Sequence, residues 1–202
     1  KMAGLARGKL IYGDASGDPA ALAVGSADEV LTHDGTDLAW AAAGGGITAA
    51  SQWRVTAVFS GSADPIASNW ELADTDGYGS LGSNMTESSG IFTFPSTGFW
   101  LIQYYMWFNG SSADDRYVGG AIQTTTDNSS YGDAATSNTN IPQGNHGTST
   151  GANCSMSFLF DVTNTTNDKV RFNSSVIQSS SQTYGNTGQN DTHVTFTRLG
   201  DT

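Results

Sequence analysis

The side chains that could catalyse a reaction or hold a metal are few and widely separated. His33, His146 and His193 do not have the spacing of metal ligands. The single cysteine, Cys154, cannot form an intrachain disulfide, and its neighbours are typical of a partly buried thiol. The sequence contains no nucleophile elbow, phosphate-binding glycine loop or paired-cysteine motif. These residues therefore form no catalytic or metal-binding constellation.

Two acidic stretches come closer to a site. In "ADTDGYG", residues 73–79, Asp74 and Asp76 precede a glycine as at the start of a calcium loop, but the later bidentate acid is missing. Asp114 and Asp115 are paired carboxylates of the kind that cleave glycosides, yet nothing nearby supplies the apolar environment that keeps one of them protonated. We therefore predict that the protein is not an enzyme and has no cofactor and no metal ligands.

Charge and composition limit the partners. The 202-residue chain has a formal net charge of −11, and its basic residues are scattered. Nucleic-acid binding needs a basic stripe that releases counterions, so DNA and RNA are excluded, and anionic membranes are disfavoured. No apolar run has transmembrane length and the start lacks a secretory core, so no membrane insertion is expected. Only 13% of residues are charged, while Gly, Ser, Thr and Asn abound, which is typical of β-rich structural proteins.

The chain divides at the glycine triplet of "GGGITAA", residues 44–50. Short apolar islands separated by Gly, Asp and Pro turns precede it, at 10–12, 22–24, 30–31 and 38–40. Each island is too short for a helix or a core, so order requires identical strands or turns stacked around an axis. We predict an extended trimeric stalk or attachment segment with a Gly-rich linker over residues 1–50, and a head domain over 51–202.

The islands also follow a recognisable order: "GKLIYGDAS", then "LAVG", then "VLTHDGTDLAWA", within residues 8–41. This order resembles a short module of bacteriophage tail-fibre and related structural proteins. In those proteins the module lies between trimeric shaft segments and a globular tip. The resemblance implies contact with other virion proteins through the N-terminal segment, and the alternative is a flexible linker.

From residue 51 onward the pattern predicts an all-β domain. Val170 and Phe172 alternate with Lys169 and Arg171, and no stretch has helical periodicity. The predicted strands cover residues 52–60, 69–74, 90–96, 98–109, 116–125, 131–137, 154–164, 169–178 and 193–200. Short strands joined by Gly- and Ser-rich turns predict a sandwich or jelly roll.

The stretch "GFWLIQYYMWFN", residues 98–109, is the apolar peak of the chain, and its alternate side chains point to opposite faces of a strand. One set is wholly apolar and suits the core: Trp100, Ile102, Tyr104, Met106 and Phe108. The other set mixes rings with an amide and a phenol, as oligomer interfaces do: Phe99, Leu101, Gln103, Tyr105 and Trp107. We predict that another copy of the chain covers this second set, since exposure would promote aggregation. The alternative is a covering loop of the same chain.

Three segments carry a second resemblance. "GIFTFPSTGFWLIQYYMWF", residues 90–108, resembles the signature of complement-q globular heads and the wider tumour-necrosis-factor-like jelly rolls. "SFLFDVTNTTNDKVRFNSSV", residues 157–176, resembles a strand pair of that family, and "HVTFTRLG", residues 193–200, its last strand, without a clear final aromatic-Gly-aromatic element. The resemblance implies a ten-stranded jelly-roll sandwich in a tight homotrimer, with the second set of residues 98–109 at the threefold axis. Some complement-q heads carry calcium, which leaves a bound calcium ion open.

Strand parity assigns the connections to two ends of the domain. The short turns 95–98, 126–130 and 164–168 fall at one end. The connections at 109–115, about 138–153 and 179–192 fall at the other end and include the two longest loops of the domain. By resemblance the stalk enters at the short-turn end, so the long loops form the distal surface. Their hydroxyl and amide residues suit receptor binding. The predicted contact residues are Asp114, Asp115, Arg116, Asn145, His146, Tyr184 and Asp191.

These features predict a virion structural protein on the extracellular particle surface. It would be a bacteriophage fibre whose trimeric jelly-roll head binds a host-surface glycan or envelope component. Two other classes stay open: a capsid decoration or cement trimer, and a secreted or cell-surface lectin-like head.

Overall fold

The computed structural model describes residues 5–33, 35–42, 46–110, 114–142 and 150–202. These residues form strands and turns without a helix, which confirms the all-β prediction. Accordingly, the part of the chain so described holds no helix able to cross a membrane. The chain divides into two compact units, Lys1–Gly46 and Ile47–Thr202.

The N-terminal unit consists of two small hairpins, formed where the apolar islands lie. β1 (Leu10–Gly13) pairs antiparallel with β2 (Pro19–Leu22), and β3 (Glu29–His33) pairs with β4 (Leu38–Ala42). The Asp14 carboxylate closes the first turn, because it accepts hydrogen bonds from the backbone N–H groups of Ser16 and Asp18. None of the described residues before Ile47 is buried. This unit therefore builds no core of its own.

The C-terminal unit contains two antiparallel sheets. In chain order its strands are β5 (Ala49–Val55), β6 (Phe59–Ser60), β7 (Trp70–Leu72), β8 (Thr86–Ser88), β9 (Ile91–Thr93), β10 (Gly98–Gly110), β11 (Asp115–Thr125), β12 (Gly132–Ile141), β13 (Thr150–Val162), β14 (Lys169–Phe172), β15 (Ser175–Val176), β16 (Gln182–Thr183) and β17 (His193–Gly200). β10 is the centre of the first sheet: β13 pairs with it from Gly98 to Gly110 on one side, and β17 and β16 pair on the other. β5 and β7 follow β17, while β6 follows β16. The second sheet has the order β12-β11-β14-β9-β8, with β15 also on β11.

An aromatic core joins the two sheets. The side chains of β10 that were predicted to be apolar core residues are at most 1% exposed, which confirms that assignment: Trp100, Ile102, Tyr104, Met106 and Phe108. Phe92 of the second sheet lies at the centre of the ring cluster, with centroids 5.4 Å from Trp53 and Phe196 of the first sheet. Trp70 and Phe172 pack against the same ring at 5.3 and 5.5 Å. The core thus forms between the two sheets.

Several strands begin or end at residues other than those predicted, because hydrogen-bond pairing with the neighbouring strand determines these ends and the local sequence pattern does not. The predicted strand 52–60 is split into β5 and β6, and 169–178 is split into β14 and β15. β13 begins at Thr150, earlier than predicted, because it pairs with the full length of β10. The predicted strand 193–200 has the bounds of β17.

The two ends of the domain follow the predicted parity. The turns at 126–130 and 164–168 meet through a backbone hydrogen bond from Asn128 to Asn167 of 3.0 Å. At the opposite end, Tyr184 donates its backbone N–H to the Trp107 carbonyl at 2.8 Å, and Asp115 pairs with Ile141. β5 begins beside the end of β17, with Ala49 opposite Arg198, so this domain starts and finishes at the short-turn end.

Replacing Phe92 with alanine tests the central role of its ring. Phe92 is fully buried and contacts four aromatic neighbours, so the cavity left by truncation should cost about 3–5 kcal/mol of unfolding free energy. Tyr117→Ala is the control, because this ring is 39% exposed and its loss should cost about 1 kcal/mol or less. Urea unfolding measures both; equal costs would show that the core is centred elsewhere.

Candidate functional site

The first candidate surface is the solvent side of β10, which we call the outer face. It is formed by the set predicted for the trimer interface, Phe99, Leu101, Gln103, Tyr105 and Trp107. Phe99 and Trp107 are 37% and 39% exposed, and the neighbouring strands add Leu159 and Leu199, 52% and 48% exposed. Leu101 lies directly opposite Leu159, so the apolar part of the face is continuous between β10 and β13. A single copy of the chain leaves this apolar strip open to solvent.

The middle of the outer face is more polar and contains a histidine. The imidazole of His193 stacks on the Tyr105 ring, with centroids 5.3 Å apart and an angle of 30° between the planes. His193 is also opposite Arg54 of β5. Burial lowers the pKa of His193 below 6.5, although hydrogen bonds at Asn190 and Asp191 and the Asp191 charge act against that shift. Folding therefore favours the neutral form of the His193 imidazole.

The second candidate surface is the distal end, where two residues predicted for different roles meet. Trp107 was assigned to the trimer interface and Tyr184 to receptor contact, yet their rings stack with centroids 5.2 Å apart and planes at 30°. The Asn109 side chain donates a hydrogen bond of 3.1 Å to the Tyr184 hydroxyl. The Thr192 hydroxyl accepts one of 3.1 Å from the Trp107 backbone N–H. Two rings are thus held rigidly at the edge of the outer face.

The other distal residues divide into exposed and buried groups. Asp114 and Arg116 are exposed, as the contact prediction requires. Asp115 is fully buried instead: its carboxylate accepts hydrogen bonds from the Gln178 N–H at 3.0 Å and the Ser181 hydroxyl at 2.8 Å. We therefore correct its assignment: the carboxylate ties residues 178–181 to β11 and presents no oxygen to a receptor.

Asp191 needs a similar correction. Its side chain is buried beside His193, and burial raises the pKa of the Asp191 carboxyl, partly offset by Asn186 and His193. A carboxyl in this position supports the loop from within and does not form part of its contact surface. The two remaining predicted contacts, Asn145 and His146, lie outside the described residues.

The residues considered for chemistry have structural partners. Asp74 of the calcium-like stretch forms an ion pair with Arg54 at 2.6 Å. Cys154 is buried, as expected; burial raises the pKa of its thiol, which contacts the Ser137 carbonyl. Among the described residues, no group of three or more His, Cys, Asp or Glu side chains could hold a metal ion.

Sequence reasoning missed the supports of the distal rings. Asn109 and Thr192 are buried polar residues whose partners lie 75 and 85 positions away in sequence, and no local pattern announces such pairs. Sequence reasoning also did not place the connection after β5 at the distal end. The Asn186 N–H donates a hydrogen bond of 2.8 Å to the Val55 carbonyl, so residues near 56 lie at that end.

The two antiparallel sheets around β10 form a jelly roll, and the solved structures that it matches show that the fold is tumour-necrosis-factor-like. Among solved structures, the chain is similar to Eiger TNF from S. frugiperda, with a TM-score of 0.57 and 11% identity over 76% of this chain and 93% of that one. It is also similar to murine APRIL at pH 5.0, with a TM-score of 0.54 and 11% identity over 75% of this chain and 98% of that one. Identities this low establish the fold alone. No protein-family model and no curated protein matches the sequence.

The environment of His193 predicts acid sensitivity. A base whose pKa is lowered on folding contributes stability above its unfolded pKa of about 6.5, and this contribution is lost as the pH falls through that value. The melting temperature should therefore fall between about pH 7.5 and about pH 5.5, and fall less in His193→Gln. Calorimetry of the full chain measures this, with His33→Gln of the N-terminal unit as the control.

Asp191 does not mimic this effect, because its raised pKa favours the folded state as the pH decreases. An equal fall in melting temperature for the parent chain and His193→Gln would show that another group causes the acid sensitivity.

Proposed function

We propose that the chain is a virion structural protein of a bacteriophage: a fibre with a trimeric head that attaches the particle to a host-surface receptor. The receptor would be a glycan or another component of the host envelope. The protein acts by binding and not by catalysis, and it works on the surface of the extracellular particle.

The open apolar strip on the outer face carries this proposal. Phe99, Leu159 and Leu199 expose between about a third and a half of their surface on one sheet of a folded domain. Such a strip is typical of a surface that another protein covers. A second copy is the natural cover, because the jelly-roll head presents the same face in every copy. The tumour-necrosis-factor-like fold also favours a trimeric receptor-binding head.

The N-terminal unit supports the fibre part of the proposal. Its apolar side chains stay exposed in the single chain, Val24 and Val30 by 56% and 44%. Identical hairpins stacked around an axis would cover them, which agrees with the stalk resemblance of this segment. The other end of such a stalk would bind further virion proteins.

The distal end offers the attachment surface. Tyr184 presents a ring that is held by stacking on Trp107 at the edge of the outer face, and Asp114 and Arg116 add exposed charges at the same end of the domain. Rigid aromatic side chains surrounded by adaptable polar loops are typical of recognition surfaces. In a trimer each contact occurs three times, so weak single sites add up to firm attachment.

Leu101→Asp tests the trimer. Three carboxylates introduced next to the threefold axis would be buried without partners, so the variant should be a monomer or an aggregate by light scattering. Tyr117→Asp places the same change on the other sheet and should leave the trimer intact. A soluble, stable Leu101→Asp trimer would refute the assignment of the outer face.

Tyr184→Ala tests attachment. Loss of the ring should weaken binding of the labelled trimer to host cells at least about 10-fold while the trimer mass stays unchanged. Tyr117→Ala is the matched control and should bind like the parent protein. Undiminished binding by Tyr184→Ala would remove the distal end from the proposal.

Immunogold labelling of particles, with an antibody against residues 51–202, separates the two virion roles. Label at fibre tips agrees with receptor attachment. Label over the shell would instead identify a decoration or cement protein, for which the distal substitutions should have no effect.

A further inference from the structure

A cleft lined by polar side chains lies beside β5, on the same side of the first sheet as the outer face, because Gln52 and Arg54 are opposite Thr195 and His193. It contains none of the β10 residues of the outer face and neither ring of the distal pair. It lies between the segment 73–78 and residues 188–190, and its volume is about 410 Å³. Gln52, Arg54, Tyr78 and Asn190 are among the residues that line it. β5 is two strands away from β10 in the sheet. We propose that this cleft binds a neutral saccharide of one or two pyranose units.

The floor of the cleft is a buried guanidinium in a fixed position. Arg54 donates hydrogen bonds to the Glu71 carboxylate through Nε at 2.7 Å, to the Thr75 hydroxyl through Nη1 at 2.9 Å and to the Asp74 carboxylate through Nη2 at 2.6 Å. Its side chain is only 2% exposed. Three of the five N–H donors of the guanidinium are engaged in these bonds, which hold the group in place.

The walls are held by hydrogen bonds that cross the sheet. The Asn190 amide donates to the Gln52 side-chain oxygen at 3.1 Å, and the Gln52 amide donates to the Thr195 hydroxyl at 3.0 Å. The Tyr78 hydroxyl accepts the Gln52 backbone N–H at 3.0 Å, and no described residue accepts a hydrogen bond from that hydroxyl in turn. The cleft therefore offers a free O–H donor and an aromatic ring in a fixed geometry.

Charge excludes two classes of ligand. Asp76 lines the cleft, and Glu71 and Asp74 are paired with Arg54 next to it, so three carboxylates near a single guanidinium disfavour an anion. The same guanidinium repels a cation from the floor, and the carboxylates of Glu71 and Asp74 are already paired with it. A neutral ligand fits this balance best.

The lining selects among neutral ligands. Amide and hydroxyl side chains and the Asp76 carboxylate line the cleft, and Tyr78 also supplies a ring, so hydrogen-bond donors and acceptors lie beside an aromatic group. This pattern matches a pyranose, which has hydroxyls around its rim and apolar C–H groups on its faces. The volume is in the range of small-molecule sites. The inference does not depend on the virion role or on the trimer.

Saturation-transfer NMR with the full chain tests the proposal. The probes are the methyl glycosides of glucose, galactose, mannose and N-acetylglucosamine, with sulfate and Ca²⁺ as charged comparisons. We expect at least one glycoside to bind with a dissociation constant of about 1 mM or tighter and to shift the backbone amide signals of Gly77 and Gly188. Sulfate and Ca²⁺ should leave those signals unchanged.

Two variants locate the site. Gln189→Trp should fill the cleft from its rim, and Tyr78→Phe removes the free donor; each should weaken glycoside binding about 10-fold or more. Tyr117→Phe on the other sheet is the matched control and should bind like the parent. Melting temperatures of all variants establish that they are folded, and Gln189→Trp keeps the test decisive should Tyr78→Phe be unstable.

Several outcomes would overturn the inference. These are binding of none of the four glycosides, binding that Gln189→Trp leaves intact, or signal changes confined to Trp107 and Tyr184. Binding of sulfate or Ca²⁺ in the cleft would equally refute a neutral ligand. None of these results bears on the attachment proposal, which is decided by cell binding of Tyr184→Ala.

Discussion

The alternation of side chains along β10 is the constraint on which the rest of the head depends. β10 pairs with β13 over its whole length and with β17 and β16 on its other side, so its register positions three strands at once. A shift of one residue would move Gln103 into the aromatic core and expose Trp100. The buried rings therefore fix the register, and the same register sets the composition of the outer face. The alternation of side chains along β10 thus determines both the core and the candidate interface.

At the distal end, buried polar side chains fix the position of the long loop before β17. Asp115 and Thr192 bond to backbone or side-chain groups of distant segments, and Ser174 and Thr183 share a buried hydrogen bond of 2.6 Å. These hydrogen bonds join residues of different strands and loops, so they hold the first and last residues of the long loop before β17 against the sheets. This anchoring lowers the conformational entropy that the loop would lose in the proposed attachment.

The parts of this structure that could be predicted are those with a local cause. Strand β17 and the core side of β10 follow from period-two alternation, which each segment displays by itself. The burial of Asp115 could not be predicted in this way, because it depends on Gln178 and Ser181, more than 60 positions away. The sequence of a loop does not distinguish an exposed aspartate from a buried aspartate whose carboxylate accepts hydrogen bonds. For the same reason Trp107 and Tyr184 were assigned to separate surfaces, although their rings are in contact.

Arg54 shows how such long-range pairing changes the meaning of a motif. By sequence, Asp74 and Asp76 suggest the start of a cation site; in the fold, Asp74 neutralises a buried arginine, so the charge that would attract a cation is already compensated. The segment thereby becomes the wall of a polar cleft. A neutral sugar bound there would gain a few hydrogen bonds and one ring contact, which corresponds to weak affinity. Such weak affinity becomes firm binding only where several copies of the chain act together, since linked sites multiply the effect of each contact without any new interaction.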